Sequence, residues 1–567
     1  MSTPTAPKIL RVGNASGFYG DRFGAWREML DGGQLDVLTG DYLAELTMLI
    51  LGRDRLRDGS LGYARTFLRQ METCLGLAVE RGVTIVTNAG GLNPAGLADA
   101  LRALAARLDV PARIGHVTGD AVEQPGALTA NAYLGAFGIA ECLAGGANVV
   151  VTGRVTDASL VVGPAVARFG WSPGDFDRLA GATVAGHLLE CGAQVTGGNF
   201  SFFTELPDGG RRPGFPVAEL YPDGSSVITK HPGTGGAVTP ETVTAQLLYE
   251  IGGPDYLGPD VVTRLDTVTL TVDGPDRVRV GGVRGTPPPP TLKVGVNSLG
   301  GYRNSATFVL CGLDIEAKAE LVKAQIVEAV GSDGLEFGLA RTDHVDAVET
   351  EAASALLHVH VRDGDGKRSG RAFSAAVVEL ALASYPGCTL TSVPGDASPY
   401  GVFTASELPQ EAVSHRAVLP SGQELPIPAP PVTAPPPFRR LEGPLPIQNP
   451  ITGGPSLRGP LGMVVGARSG DKGGDANLGV WARSTDGYGW LRGWLTVERL
   501  RELLPETAEL TVERYELPNL RAVNFVIRGL LGAGVAASTR FDPQAKALGE
   551  LLRARIVDLP ANLLEPR

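Results

Sequence analysis

The sequence predicts an α/β protein with a layered, mainly parallel sheet core, a β-rich middle subdomain and a small C-terminal α+β domain. Three observations lead there. Over the first 170 residues short apolar runs alternate with helical stretches, the βαβ pattern. After Phe200 the texture changes to short period-two runs separated by glycine- and proline-rich turns. Residues 424–460 are then dense in proline and poor in core-forming side chains, as an extended linker is. At 567 residues the chain exceeds one ordinary core. The expected division is 1–200 as an α/β core with ligand loops, 201–423 as a β-rich insertion and continuation of that core, 424–460 as linker, and 461–567 as the α+β domain.

The first strand is expected over Lys8–Val12, followed by a loop holding Asn14 and Ser16. The second, Leu35–Leu38, runs into Gly40 and Asp41, with Glu45 one turn into the next helix. The third, Val83–Val86, leads to Asn88, Gly90, Gly91 and Asn93; the fourth is Arg113–Val117 and the fifth Asn148–Val151. These strands end in one kind of loop, with glycine beside Asn, Ser, Thr, Asp or Arg. Parallel strands would gather such loops along one sheet edge, where backbone and helix amino termini suit an anion. The spacing Gly13-x-x-x-Gly17-x-x-Gly20 is neither the dinucleotide fingerprint nor the phosphate loop, so neither NAD nor ATP is expected.

Residues 148–200 carry most of the chemistry. Arg154 and Asp157 fall just beyond the fifth strand, and Gly181 to Cys191 fits a helix stopped by Gly192, ahead of a loop with Gly197, Gly198 and Asn199. His187 and Cys191 then share a helix face, with Glu190 beside them. A histidine-paired thiol nucleophile is the sharper reading of Cys191. A buried thiol beside a hydrogen-bonded histidine explains the same residues, and the negative end of the helix dipole disfavours a thiolate. No HExxH or CxxC pattern occurs, and no metal is expected.

Strands are expected at 202–205, 227–230, 268–272 and 278–280, and His231 sits in a glycine-rich turn. Helices are expected at Ala317–Val330 and Ala372–Tyr385, with a strand at Ala355–Val361 whose His358 and His360 share a face read as a solvent-facing edge. Past the linker, strands at 461–465, 478–482, 510–515 and 524–527 and helices at 497–504 and 543–552 make the last domain. Between its first two strands, Ala467 to Asn477 holds Arg468, Asp471, Lys472 and Asp475 among three glycines. That is longer than a hairpin needs, so it reads as a polar loop able to hold an anion with its bases and to move protons with its acids.

The net charge of −11 and the pI near 5.3 oppose generic nucleic-acid binding. Five scattered cysteines without framework spacing point to a reducing compartment, and no apolar run reaches a membrane span. A cytoplasmic protein without nucleic-acid or membrane partners is expected.

The motifs GNASGF at 13–18, GDYLAE at 40–45, NAGG at 88–91, GRVTDAS at 153–159 and GHLLECG at 186–192, with the 467–479 segment, resemble the acyclic terpene utilisation protein AtuA family. The tail resembles the ferredoxin-fold domain that accompanies that core. The resemblance implies a role in citronellol or geraniol breakdown through coenzyme A thioesters. An enzyme of branched or terpenoid acid catabolism is therefore expected, acting on an acyl-CoA or related carboxylate by hydratase, lyase or isomerase chemistry. Coenzyme A would enter only as part of the substrate, with no further cofactor, and a homo-oligomer is expected. The expected catalytic residues are Asp41, Arg154, Asp157, His187, Glu190, Cys191, Asp471 and Lys472. Asn14, Ser16, Asn88, Gly90, Gly91, Asn93, Gly197, Gly198, Asn199, Arg468 and Asp475 are expected to bind substrate. The alternative is a non-catalytic ligand-binding or assembly subunit for a partner such as a carboxylase.

Overall fold

The computed structural model describes residues 9–436 and 455–564, so the middle of the expected linker lies outside the described residues. The chain divides into two compact units. One comprises Met1–Asn297, Phe403–Val535 and Gln544–Arg567; the other comprises Ser298–Val402 and Ala536–Pro543.

The first unit is built on an eleven-stranded sheet. Its centre is β1 (Leu10–Asn14), β2 (Val37–Gly40), β3 (Thr84–Thr87), β4 (Ile114–Thr118) and β6 (Val149–Thr152), in the spatial order β1-β2-β3-β6-β4 and all parallel. β5 (Thr129–Ala132) pairs outside this sheet, with Val294–Asn297. Each of the five central strands lies one or two residues beyond its expected position, toward its carboxyl end. The cause is polar: the Thr39 hydroxyl donates to Gly13 O at 3.0 Å and the Thr87 hydroxyl to Gly40 O at 2.8 Å, so hydroxyl-bearing residues extend the ladder past the apolar runs.

The helices α1 (Ala25–Gly32), α2 (Glu45–Arg57), α3 (Arg65–Glu80), α4 (Pro94–Arg107), α5 (Phe137–Ala144), α6 (Ser159–Phe169) and α7 (Phe176–Glu190) alternate with these strands. Two hydrophobic clusters form the interior. One unites α1, α3 and α4 with Leu38, Ile85 and Val151; the other unites α5, α6 and α7 with Val12, Val86 and Val150. Neighbouring residues of one strand thus face different layers, which is why the strands read as continuous apolar runs.

The strands at 216–230 and 269–281 do not form a sheet of their own, whereas Asp255–Leu257 and Val262–Arg264 pair with Arg284–Thr286 in a separate three-stranded sheet. β7 (Pro216–Leu220) pairs antiparallel with β1, and β8 (Ser226–Lys230), Arg277–Gly281 and Thr269–Gly274 continue outward. Arg416–Val418 and Glu424–Pro426 extend the opposite edge beyond β4. The parallel part is therefore the centre of a mixed sheet, and the start of the expected linker is an edge strand. Residues 202–205, expected as strand, hold a short 3-10 turn at Phe203–Glu205.

The C-terminal segment carries a four-stranded antiparallel sheet with its own hydrophobic cluster. Here the polar-loop expectation fails. Val465–Lys472 and Asp475–Ala482 are paired strands closing at Lys472↔Asp475, with Gly473 at φ +65 in the turn. Arg468, Asp471 and Lys472 are strand residues of this ladder, and Gly470 lies where the strand passes close to Tyr249.

The second unit packs Ile315–Val330 and Phe373–Glu379 against a sheet that includes Leu335–Ala340 and Ser354–Asp363. Ser354–Asp363 is an interior strand rather than an edge, paired on both sides. His358 Nδ1 lies 3.0 Å from the Thr307 hydroxyl and its ring meets Phe541 edge-on at 4.4 Å. Among the described residues no helix is long and apolar enough to cross a membrane.

A Cβ on Gly470 would lie 2.4 Å from the Tyr249 ring, whereas one on Gly489, in the helix Thr485–Trp494, would meet nothing within 4 Å. Gly470→Ala is expected to cost about 1–3 kcal/mol in urea unfolding. Gly489→Ala should be neutral or stabilising by up to about 1 kcal/mol.

Candidate functional site

The carboxyl ends of the parallel strands deliver polar side chains to one buried region. Beyond β2, Asp41 is 5 % exposed, and its Oδ1 accepts from Asn88 Nδ2, beyond β3, at 2.6 Å. Asn88 is itself fixed by Tyr42 N donating to its Oδ1 at 2.8 Å. Beyond β6, Arg154 N donates to Asp120 Oδ2 at 2.9 Å. Its guanidinium donates to Asp157 Oδ1 at 2.5 Å and lies 4.1 Å above the Tyr133 ring. Lys293 Nζ sits 4.6 Å from the same ring and 3.5 Å from Glu45 Oε1.

From α7, His187 Nδ1 faces Glu190 Oε1 at 2.9 Å, with His187 2 % exposed. A carboxylate at that distance ordinarily favours imidazolium, but burial wins on both sides. It lowers His187 to about 4 and raises Glu190 well above the carboxylate range, so both groups are uncharged near neutral pH. Burial, followed by Glu190, raises the Cys191 thiol well above its usual value. The histidine partner expected for a nucleophilic thiol is engaged by Glu190 instead.

Pro240–Leu247, α8, leads to Tyr249 and Glu250, which face the C-terminal hairpin. Lys472 Nζ donates to Glu250 O at 2.9 Å, and Glu250 N donates to Asn477 Oδ1 at 2.8 Å. Arg468 stacks 4.2 Å over Tyr249 and donates to Gln194 Oε1. Arg154, Asp157, His187, Glu190, Asp471 and Lys472 thus lie in one electrostatic neighbourhood. Asp157 and Lys472 both act on Glu190, and Glu250 and Glu45 both act on Asp471. Glu45, Lys293, Tyr249, Glu250 and Tyr256 join this neighbourhood without having been expected there. The available signal was a charged residue interrupting an apolar run, as Lys293 does between Leu292 and Val294.

The glycine loops contribute packing. A Cβ on Gly90 would lie 2.4 Å from Thr152 O, one on Gly91 2.4 Å from Leu51, one on Gly197 2.6 Å from Leu206 and one on Gly198 2.9 Å from Ala193 O. Asn14 Nδ2 donates to Leu189 O at 2.5 Å, and Ser16 Oγ to Phe18 O at 3.1 Å. Asn93 caps α4 by accepting from Gly96 N, and Asn199 donates to Gln194. Asp475 pairs with Arg528 at 2.7 Å. In this structure these side chains make hydrogen bonds and ion pairs within the protein.

Carboxyls (Asp41, Glu45, Asp157, Glu190, Glu250, Asp471) outnumber cations (Arg154, Lys293, Lys472) in the cluster. Burial raises Asp41, Glu190 and Glu250, and pushes Asp471 up to about 8. Burial also opposes ionisation of Glu45, yet Lys293 and Arg154 outweigh it and hold that carboxyl at about 2. Burial, then Lys293, lowers Lys472. Among the described residues, His187 Nε2, Glu190 Oε2, Gln246 Oε1 and Asp471 Oδ1 are buried without hydrogen-bond partners, the pattern of groups that await a ligand. Among the described residues no set of three or more His, Cys, Asp or Glu is arranged to hold a metal ion.

A carboxyl whose folded pKa is raised stabilises the fold at low pH, and that contribution is lost as pH rises through the folded value. For Asp471 the window runs from its ordinary 3.8 to about 8. Each tenfold in proton affinity is worth about 1.4 kcal/mol, so the upper bound is about 6 kcal/mol. Asp471→Asn, an uncharged mimic, is expected to match the wild type in urea unfolding at or below about pH 4 and to become progressively more stable than it up to about pH 8, where the difference levels off. Parallel curves would mean that Asp471 is ionised in the fold.

No curated protein and no solved structure matches the chain. A family model described as acyclic terpene utilisation family protein AtuA matches residues 10–419, and one described as AtuA ferredoxin-like domain matches residues 460–558. The first match alone spans well over half of the chain, from β1 to the strand Arg416–Val418 beside β4, and includes the Asp41, Arg154 and His187 segments. The protein belongs to the acyclic terpene utilisation protein AtuA family, with the family's ferredoxin-like domain joined to its core.

Proposed function

We propose that this chain is a catabolic enzyme of acyclic terpenoid or branched-chain acid breakdown that acts on an acyl-CoA or related carboxylate by acid–base chemistry of the hydratase, lyase or isomerase type. The observation that carries the reading is the divergence of acidities inside one cluster: Glu45 near 2 and Asp471 near 8, beside a lysine that burial moves toward neutrality. Titratable groups whose surroundings drive them apart supply a proton donor and a proton acceptor at the same pH.

In this reading Arg154, held over Tyr133, and Lys293 neutralise the carboxylate or the developing enolate oxygen of the substrate. His187 Nε2 or Lys472 Nζ takes a proton, and Asp471 or Glu190, kept protonated by burial, returns one. Asp41 and Asp157 set the field around Arg154. Cys191 has no thiolate role. Coenzyme A enters as part of the substrate, and assembly as a homo-oligomer remains part of the proposal.

The alternative, a non-catalytic subunit that presents a bound ligand to a partner enzyme such as a carboxylase, draws support from Asn14 and Asn93, whose side chains serve internal hydrogen bonds. Incubation with a panel of acyl-CoA thioesters, followed by mass spectrometry, separates the two. Turnover is expected on a branched thioester, falling about 10²- to 10⁴-fold in Asp471→Asn and in Lys472→Met. Unchanged turnover in both variants would refute the assigned roles, and no turnover on any thioester would favour the subunit reading.

A further inference from the structure

The carboxyl cluster is graded in depth. Asp41, Arg154 and His187 are buried, Glu45 and Asp157 are half-buried, and Lys293 and Lys472 are exposed. Lys472 ends the strand Val465–Lys472, and Gly473 follows it in the turn. A Cβ on Gly473 would lie 3.2 Å from the Phe403 ring, and Lys293 Nζ lies 5.7 Å from the centre of the same ring. One aromatic side chain thus borders both Lys293 and the turn beside Lys472. Gly252 flanks the Lys472 stem, since a Cβ there would lie 3.6 Å from its Cε.

The two amines differ in what holds them. Lys293 Nζ faces Glu45 Oε1 at 3.5 Å, and although burial opposes its charge, Tyr133 and Glu45 outweigh burial and raise it above its ordinary value. Lys472 Nζ donates instead to a neutral acceptor, Glu250 O, at 2.9 Å. Loss of water around Lys472 lowers it, and the like charge of Lys293 adds to that. An amine that solvent can reach, and whose surroundings still strip water from it, stands in a cleft. Its free base carries the lone pair that an electrophile needs. The neighbouring cations favour one kind of electrophile: a carboxylate is drawn to Lys293 and Arg154, and a carbonyl attached to it is carried toward Lys472.

We infer that Lys472 is a nucleophile that condenses with an oxo acid to form an imine, with Lys293 receiving the carboxylate. The Nζ lone pair forms a bond to the carbonyl carbon while the C–O π pair takes up a proton, giving a carbinolamine. That oxygen then leaves as water, and the two hydrogens of the water are those the amine has lost. Burial favours the protonated forms of Glu190 and Glu250, and either carboxyl lends the proton that lets water depart and recovers it from nitrogen. No oxidant or reductant is consumed. This covalent step rests on the reading of the cluster as a reaction site, but it needs no thioester.

Reductive trapping tests it. The full chain is incubated at pH 7 with acetoacetate or with acetone, in the presence of sodium cyanoborohydride, and its peptides are analysed by mass spectrometry. With acetoacetate, the reduced adduct is expected on Lys472 at least about tenfold above that on the exposed Lys367, because each unit by which an amine's pKa falls gives about ten times more free base. The ratio of Lys472 to Lys367 labelling should fall several-fold when uncharged acetone replaces acetoacetate. Lys293→Met, with its melting temperature checked against the wild type, should lower acetoacetate labelling of Lys472 by about tenfold and leave Lys367 unchanged. Labelling of Lys472 no greater than that of Lys367, a ratio unchanged with acetone, or labelling unaffected by Lys293→Met would each overturn the inference. Selective trapping without turnover of any thioester would instead refute the thioester reading and leave the imine standing.

Discussion

Taking more carboxyls out of water than there are cations to pair with them is the constraint on which this site rests. An ionised carboxylate without a partner in a low-dielectric interior costs several kcal/mol, so a buried surplus must be relieved. Here it is relieved by division. Lys293 and Arg154 concentrate on Glu45, which stays ionised, while Asp41, Glu190, Glu250 and Asp471 are pushed toward their protonated forms. The same low dielectric moves Lys472 and His187 toward neutrality. Proton donors and acceptors of opposite charge type are thereby held side by side near neutral pH.

The architecture brings this about by meeting at one level from two directions. The parallel strands end in Asp41, Asn88 and Arg154, and α7 places His187 and Glu190 beside them. The C-terminal hairpin arrives from the other side with Arg468, Asp471 and Lys472, tied down through Tyr249, Glu250 and Asn477. Neither part alone holds both Arg154 and Lys472. The fused ferredoxin-like domain therefore completes the cluster within the same chain.

The central strands, α7 and the convergence of Asp41, Arg154, Asp157 and His187 were legible because apolar runs and 3.6-residue spacing are local signals. Their ends were less so, since Thr39 and Thr87 look like loop residues until their hydroxyls are seen bonding to neighbouring strands. Long-range pairing left no local trace. The strands at 216–281 read as a subdomain, yet β7 pairs with β1 across some two hundred residues of sequence. The hairpin at 465–482 read as a loop because glycines and charges in alternation mimic one, and only Tyr249, far away in sequence, explains Gly470. The glycine loops were located correctly, but their purpose was not legible, because a glycine needed for close backbone packing and one needed for a ligand are the same letter. Lys293 and Glu250 were missed because a single charged residue in an apolar run is also what an edge strand shows.

The protonation of Asp471 is the most direct point of contact between this account and observation. Infrared difference spectroscopy across a pH titration of the wild type and Asp471→Asn would read it. A protonated-carboxyl band is expected at pH 6 that fades through about pH 8 and is missing from the variant. Identical spectra for the two proteins at pH 6 would show Asp471 already ionised, and would contradict the account.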